Sequence, residues 1–200
     1  MSISAAVESQ VETGSHAALV PGKMAIWWFL ASEIMVFGGL IAIYILYRMA
    51  SAGAWTQLAE HVSTTIGAIN TLVLLTSSLT MVKAHAAVED GDRRRTKIFL
   101  GLTVLFGFMF LGFKAVEYAT EISHGFTPLA GAFWSFYYAM TGLHGLHVLA
   151  GIVVNLALFI MAVKGNLWPH AHQRVEYAGL YWHFVDVVWI FLFPLLYLSY

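Results

Sequence analysis

The sequence predicts an all-α polytopic membrane protein, a bundle of five transmembrane helices with its N-terminus in the cytoplasm and its C-terminus outside. Three observations carry this reading. Of the 200 residues, 60% are hydrophobic and 10% charged, against about 45–50% apolar and about 25% charged in a soluble domain. With a mean hydropathy of +0.74, the polar residues are too few to build a water-facing surface. The apolar residues also gather into five runs of spanning length, and the basic residues collect on alternate connections. Transmembrane strands would instead show ~10-residue alternating segments, and these are absent. A formal charge of −1 offers no basic field for nucleic acid. The lack of cysteine excludes disulfides, thiolate zinc sites, iron–sulfur clusters and c-type haem attachment, so a metal would have to sit on His, Met or carboxylate.

The first run, Met24 to Tyr47, is opened by Pro21-Gly22 and closed by Arg48. Residues 1–23 read as a polar cytoplasmic segment ahead of the membrane domain, residues 24–200. With Glu8, Glu12 and His16, that segment lacks the basic start and cleavable short apolar run of a signal peptide. The second run, about Val62 to Ala84, starts polar with Ser63, Thr64 and Thr65 and ends in a charged loop, Glu89 to Lys97. The third runs from Ile98 to about Thr120, and a loop with Gly125, Pro128 and Gly131 leads to the fourth, about Phe133 to Val163. That fourth run exceeds one perpendicular crossing and must tilt or extend into water. The fifth, Tyr177 to Tyr200, finishes the chain.

Placing the loop between the second and third helices in the cytoplasm puts Lys23, Lys83, Arg93, Arg94, Arg95, Lys97, Lys164 and Arg174 on that side and Arg48 outside. This is the asymmetry of the positive-inside rule. Trp27, Trp28, Trp55, Trp168, Tyr197 and Tyr200 are expected at the two interfaces.

Ionisable groups inside the spans cost at least ~2.5 kcal/mol at mid-membrane and must face protein, headgroup or water. Glu33 sits in the run Ala31 to Gly39, either as a proton-handling carboxyl or as a neutral or paired one that fixes packing. Lys114, Glu117 and Glu121 are spaced i, i+3 and i+7 and share one helix face; Lys114 and Glu117 are expected to pair and lock one helix register, the alternative being a site for a lipid headgroup or a partner subunit. Two further constellations are Thr141-Gly142-Leu143-His144-Gly145-Leu146-His147 and Tyr181-Trp182-His183-Phe184-Val185-Asp186. His144 and His147 share a face, as do His183 and Asp186, and a carboxylate holding an imidazole N–H is an arrangement that orients metal ligands. These histidines suit either one bis-His haem or hydrogen bonds between helices, and Gly142 and Gly145 either leave room for a macrocycle or let helices approach closely. His85, His170 and His172 lie near the cytoplasmic ends with Glu89, Asp90, Asp92 and Glu176, as a solvated rim or as a patch that collects protons.

The runs Tyr181-Trp182-His183-Phe184-Val185-Asp186-Val187-Val188-Trp189 and Thr141-Gly142-Leu143-His144-Gly145-Leu146-His147-Val148 resemble subunit III of the haem-copper oxidases, typified by cytochrome c oxidase. Supporting matches follow in order: Ser32-Glu33, Asn70-Thr71, Ala84-His85 with Gly91-Asp92-Arg93, and Glu117-Tyr118. The resemblance implies a subunit of a bacterial inner membrane that holds no haem or copper and packs beside the catalytic subunit I and subunit II. There it would stabilise the catalytic subunit, bind phospholipid in a cleft and support proton uptake. It also implies structural roles for His144, His147 and His183, a buried carboxylate at Glu33, and an entry side for protons at His85, His170 and His172; with these, Lys114, Glu117 and Asp186 are expected to hold helices or lipid headgroups in place.

The mitochondrial type has seven helices, and the two that form one wall of its lipid cleft have no counterpart here, so another chain would have to supply that wall. Relatives of the subunit also occur in quinol oxidases and certain nitric oxide reductases, which leaves donor and acceptor open. Two readings lie outside the resemblance. One is a self-contained b-type cytochrome using His144 or His147 with His183. The other is a transporter coupled through Glu33, against which stands the lack of an inverted repeat.

Overall fold

The computed structural model describes residues 3–59 and 62–198, and every regular element among them is a helix. In chain order these are α1 (Ile3–Ala50), α2 (Ala54–Ala59), α3 (Thr64–Glu89), α4 (Arg93–Ser123), α5 (Ala132–Lys164), a 3-10 turn (Trp168–His170) and α6 (Ala171–Tyr197). Five segments are long and apolar enough to cross a membrane: Gly22–Ala50, Thr64–Glu89, Arg93–Ser123, Ala132–Lys164 and Ala171–Tyr197. These are the five runs expected from the sequence. The helices outlast the apolar runs: α4 has 31 residues and α5 has 33, about 46–50 Å at 1.5 Å per residue against a hydrocarbon core of about 30 Å. Their last turns therefore carry polar residues beyond the core. Likewise α1 continues upstream of Pro21-Gly22, where the sequence suggested a start, through a stretch that holds the good helix formers Ala, Leu, Glu and Gln. Tyr200, expected at an interface, lies outside the described residues.

The chain falls into two units, Met1–Val36 and Phe37–Tyr200. In the first, Trp27 and Trp28 are exposed at 56% and 74%, as interfacial anchors would be, and Ser32 Oγ donates back to the Phe29 carbonyl at 2.7 Å.

In the second unit α3 packs on α4, α4 on α5, α5 on α6 and α6 on α3, so four helices close a ring. Capping defines the sharp corners. Asp92 ends the α3–α4 turn, its side chain accepting from the Arg94 and Arg95 amides at 3.0 and 2.9 Å, which satisfies two of the orphan donors at the head of α4. Gly165 stops α5 at φ 82°, a left-handed conformation that glycine adopts without a Cβ clash. Trp55 of α2 is buried against Tyr44 and Phe133, with ring centroids 5.3 and 5.9 Å away, and so ties the end of α1 to α5.

Lipid removes the usual hydrophobic drive between spans, so packing, small residues and interhelical hydrogen bonds must hold them. Trp182 and Trp189 of α6 are fully buried, and each finds a partner for its indole N–H on α3: Ser77 Oγ at 3.2 Å and Thr71 Oγ1 at 3.0 Å. Thr80 and Thr103 join α3 to α4 through a 2.8 Å hydroxyl pair. The glycines that allow close approach are not Gly142 and Gly145. A Cβ at Gly145 meets nothing within 4 Å and one at Gly142 meets only the Tyr118 hydroxyl at 3.8 Å. The crowded positions are Gly67, Gly107 and Gly151, where a Cβ would fall 2.6–2.7 Å from ring or side-chain atoms of α5 or α6. Spacing within one helix marks a small residue but not which neighbour faces it.

Candidate functional site

Three polar constellations stand inside or at the ends of the ring. The first lies where α4, α5 and α6 meet. Lys114 and Glu117, one turn apart on α4, are exposed by only 5% and 1%. Lys114 Nζ donates to Glu117 Oε2 at 2.9 Å, to Tyr197 Oη at 2.7 Å and to Tyr137 Oη at 3.2 Å. The two phenols in turn donate to Glu117 Oε1, at 2.7 Å from Tyr197 and 2.9 Å from Tyr137. The ammonium also lies 4.9–5.6 Å from the ring centroids of Tyr118, Tyr137, Trp189 and Tyr197, within cation–π reach. Both charges are thus saturated, the condition under which a buried ion pair is tolerated. Glu121, one turn further on, is buried too. The expected pairing of Lys114 with Glu117 is present. Tyr197, which the sequence suggested as an interfacial aromatic, is instead fully buried, because its hydroxyl closes this network. Trp55, likewise expected near one of the interfaces, is also buried at 8% exposure.

The second constellation spans α3, α5 and α6. His144 is fully buried, and neither ring nitrogen has a hydrogen-bond partner. Its ring stacks on Trp189 at 5.1 Å and meets Phe110 edge-on at 5.6 Å, so this histidine packs as an aromatic and makes no interhelical hydrogen bond. His147 is half-buried, its Nδ1 2.8 Å from the Leu143 carbonyl of its own helix. His183, also half-exposed, does bond across helices: Nδ1 is 2.8 Å from Ser78 Oγ on α3. Asp186 Oδ2 is 3.8 Å from that nitrogen, and the carboxylate is buried at 3% exposure with neither oxygen within hydrogen-bond distance of a partner. Ser78, not Asp186, therefore orients His183. The ligand atoms of His144, His147 and His183 do not converge on one point.

The third constellation sits where the end of α3 meets the start of α6. Here His85 and His172 face each other with ring centroids 5.1 Å apart. Glu89 Oε1 lies 3.9 Å from His85 Nδ1 and 3.5 Å from His172 Nε2. Glu176 Oε2 is 4.0 Å from His172 Nδ1. A groove of about 190 Å³ between α3 and α6 has His85, Glu176 and His183 in its lining, and so links this cluster to the second constellation. His170 is exposed on the 3-10 turn and makes no ion pair with this cluster among the described residues. The Arg93 guanidinium lies 4.8 Å from the Trp168 ring, which puts the basic α3–α4 turn and the α5–α6 connection at one end of the ring.

Glu33, read from the sequence as a buried carboxylate, is half-exposed. It lies in a span whose most apolar window is 17% buried inside the chain, against 44% for the last span. A hydrophobic neighbourhood in sequence marks contact with lipid or with protein and does not separate the two.

The fold and these sites define a multi-pass membrane protein in which polar groups lock the helices. The sequence matches the family model described as cytochrome c oxidase subunit III over residues 5–199. It is 37% identical to the cytochrome c oxidase subunit 3 of Thermostichus vulcanus, over 85% of this chain and 83% of that one. It is 35% identical to the cytochrome c oxidase subunit 3 of Alkalihalophilus pseudofirmus, over 96% of each. A protein of Staphylococcus haemolyticus named probable quinol oxidase subunit 3 is 33% identical, over 94% of this chain and 93% of that one. The chain belongs to the cytochrome c oxidase subunit III family and is a multi-pass protein of the bacterial inner membrane.

Proposed function

We propose that this chain is the non-catalytic subunit III of a bacterial aerobic terminal oxidase that reduces oxygen to water and pumps protons. The observation that carries the reading is the family match over residues 5–199. Haem and copper then belong to the partner catalytic subunit I, assembled with subunit II, and this chain binds neither. The names of the T. vulcanus and A. pseudofirmus relatives favour cytochrome c as electron donor, and that of the S. haemolyticus relative supports quinol as the second possibility.

Stabilisation of the catalytic subunit is supported by the rigidity that the Lys114–Glu117–Tyr137–Tyr197 network and the buried His144, Trp182 and Trp189 give the ring. A firm face can hold a partner's helices in register through turnover. Phospholipid binding is supported by large apolar side chains left exposed along α1, among them Met35 at 79% and Leu46 at 65%. Proton uptake is supported by the pairing of His85 and His172 with Glu89 at one end of the ring, with His170 and the carboxyl of Glu33 as further candidates.

The reading is tested by Asp186→Ala. Asp186 is buried on α6 beside His183, away from any haem in this proposal. The variant is expected to lower the yield of assembled oxidase and to shorten its lifetime during turnover, with the haem spectrum of the surviving complex unchanged. Normal assembly and normal lifetime would argue against the structural role, and an altered haem spectrum would argue against the non-catalytic one.

A further inference from the structure

The sequence carries the pattern His-x-x-x-Glu twice, as His85 to Glu89 on α3 and as His172 to Glu176 on α6. An i, i+4 spacing places both members of each pair on one helix face. The fold then turns the two faces toward each other, the end of α3 against the start of α6. The result is a cluster of two imidazoles and one carboxylate whose ligand atoms all lie within 4.8 Å of one another, drawn from His85, Glu89 and His172.

We propose that His85, Glu89 and His172 form a binding site for a divalent transition-metal ion, zinc(II) by preference, that clasps α3 to α6. Zinc takes His nitrogen and carboxylate oxygen at about 2.0–2.2 Å in a tetrahedron, which sets neighbouring ligand atoms about 3.4 Å apart. Glu89 Oε1 and His172 Nε2 are already 3.5 Å apart, and Glu89 Oε1 and His85 Nδ1 are 3.9 Å apart. The remaining closure falls to side chains with the freedom to make it, since those of His85, Glu89 and His172 are exposed by 31%, 56% and 59%. A water completes the fourth position.

Two more features are compatible with a metal. The carboxylate of Glu176 sits 4.0 Å from His172 Nδ1, on the opposite edge of the ring from Nε2. A side-chain shift of about 1 Å would bring it into hydrogen-bond range and make it the outer carboxylate that fixes the tautomer freeing Nε2 for the ion. His85 Nε2 is buried, and Nδ1 is the nitrogen that faces Glu89, at 3.9 Å. Two imidazoles with one carboxylate suit zinc and its transition-metal neighbours, whereas calcium and magnesium take all-oxygen shells. The site uses two of the residues assigned above to proton uptake but does not depend on that assignment.

The test uses the complete complex, purified in detergent, stripped with a chelator, incubated with zinc(II) alone, passed through a desalting column and measured for zinc per chain. The wild type is expected to retain one equivalent more than His85→Ala or His172→Ala, and His170→Ala, in the adjoining turn, is expected to match the wild type. Glu176→Gln is expected to weaken retention about 10–100-fold, the usual effect of removing an outer carboxylate. X-ray absorption at the zinc edge of the wild-type complex should lose a two-nitrogen, oxygen-containing shell at about 2.0–2.2 Å when either ligand histidine is replaced. If a histidine variant is not recovered in membranes, Glu89→Gln, at an exposed carboxylate, serves the same comparison. Equal zinc in the wild type and the ligand variants, or equal loss in His170→Ala, would overturn the proposal.

Discussion

Glu117→Ala is expected to destabilise the chain by about 3–5 kcal/mol, the range for removing one partner of a buried ion pair. The substitution strands the Lys114 ammonium at 5% exposure and takes away the acceptor of both the Tyr137 and Tyr197 hydroxyls. Three helices lose their common junction at once. Unfolding of the detergent-solubilised protein, followed by denaturant or heat, should show the loss, and the amount of chain recovered in membranes should fall with it. The double replacement Lys114→Met with Glu117→Leu removes both charges together and is expected to recover much of the stability, since an apolar pair of similar volume often replaces a buried ion pair at little cost. A wild-type midpoint for Glu117→Ala, or a double variant as weak as the single one, would show that the network does not hold the ring.

The second large effect is expected at Gly151. A Cβ there would lie 2.6 Å from Cε3 and Cζ3 of Trp182. The indole cannot retreat, because its far edge abuts Gly107, where a Cβ would be 3.0 Å from Cη2, and its N–H is tied to Ser77. Gly151→Ala should therefore force α5 away from α6 and cost about 1–3 kcal/mol, the typical penalty of overpacking. Gly145→Ala, six residues earlier on the same helix with nothing within 4 Å of its Cβ, should be neutral or stabilising by up to about 1 kcal/mol from helix propensity. Parallel unfolding of the two variants checks the contrast, and similar midpoints would mean that α5 and α6 do not meet as described.

How much of this was legible in the sequence follows from the range of each interaction. Span number and helical class came from composition and run length, which act locally. The Lys114–Glu117 pair was legible because i, i+3 neighbours meet on any helix. Tyr137 and Tyr197 were not, since they reach Lys114 from 23 and 83 residues away, and a tyrosine near the end of a span looks equally like an interfacial anchor. His183 and Asp186 share a face, yet the shorter bond goes to Ser78, 105 residues off. His144 shows the converse error: a histidine suggests hydrogen bonds or a ligand, whereas the fold encloses it between Trp189 and Phe110. Which glycines pack closely was not legible for the same reason, because facing is a tertiary property. The facing of His85 and His172 also needed the ring, since it depends on α3 and α6 being neighbours.

Purification of the chain from native membranes in mild detergent decides whether it is a non-catalytic partner in a terminal oxidase. The optical spectrum, metal content and subunit masses would be recorded for the complex and for the dissociated 22.1 kDa chain. The expected result is a complex that carries haem and copper together with a larger catalytic subunit, and a separated chain that is colourless. A separated chain that keeps its haem would make ligands of His144, His147 or His183 and overturn the non-catalytic role.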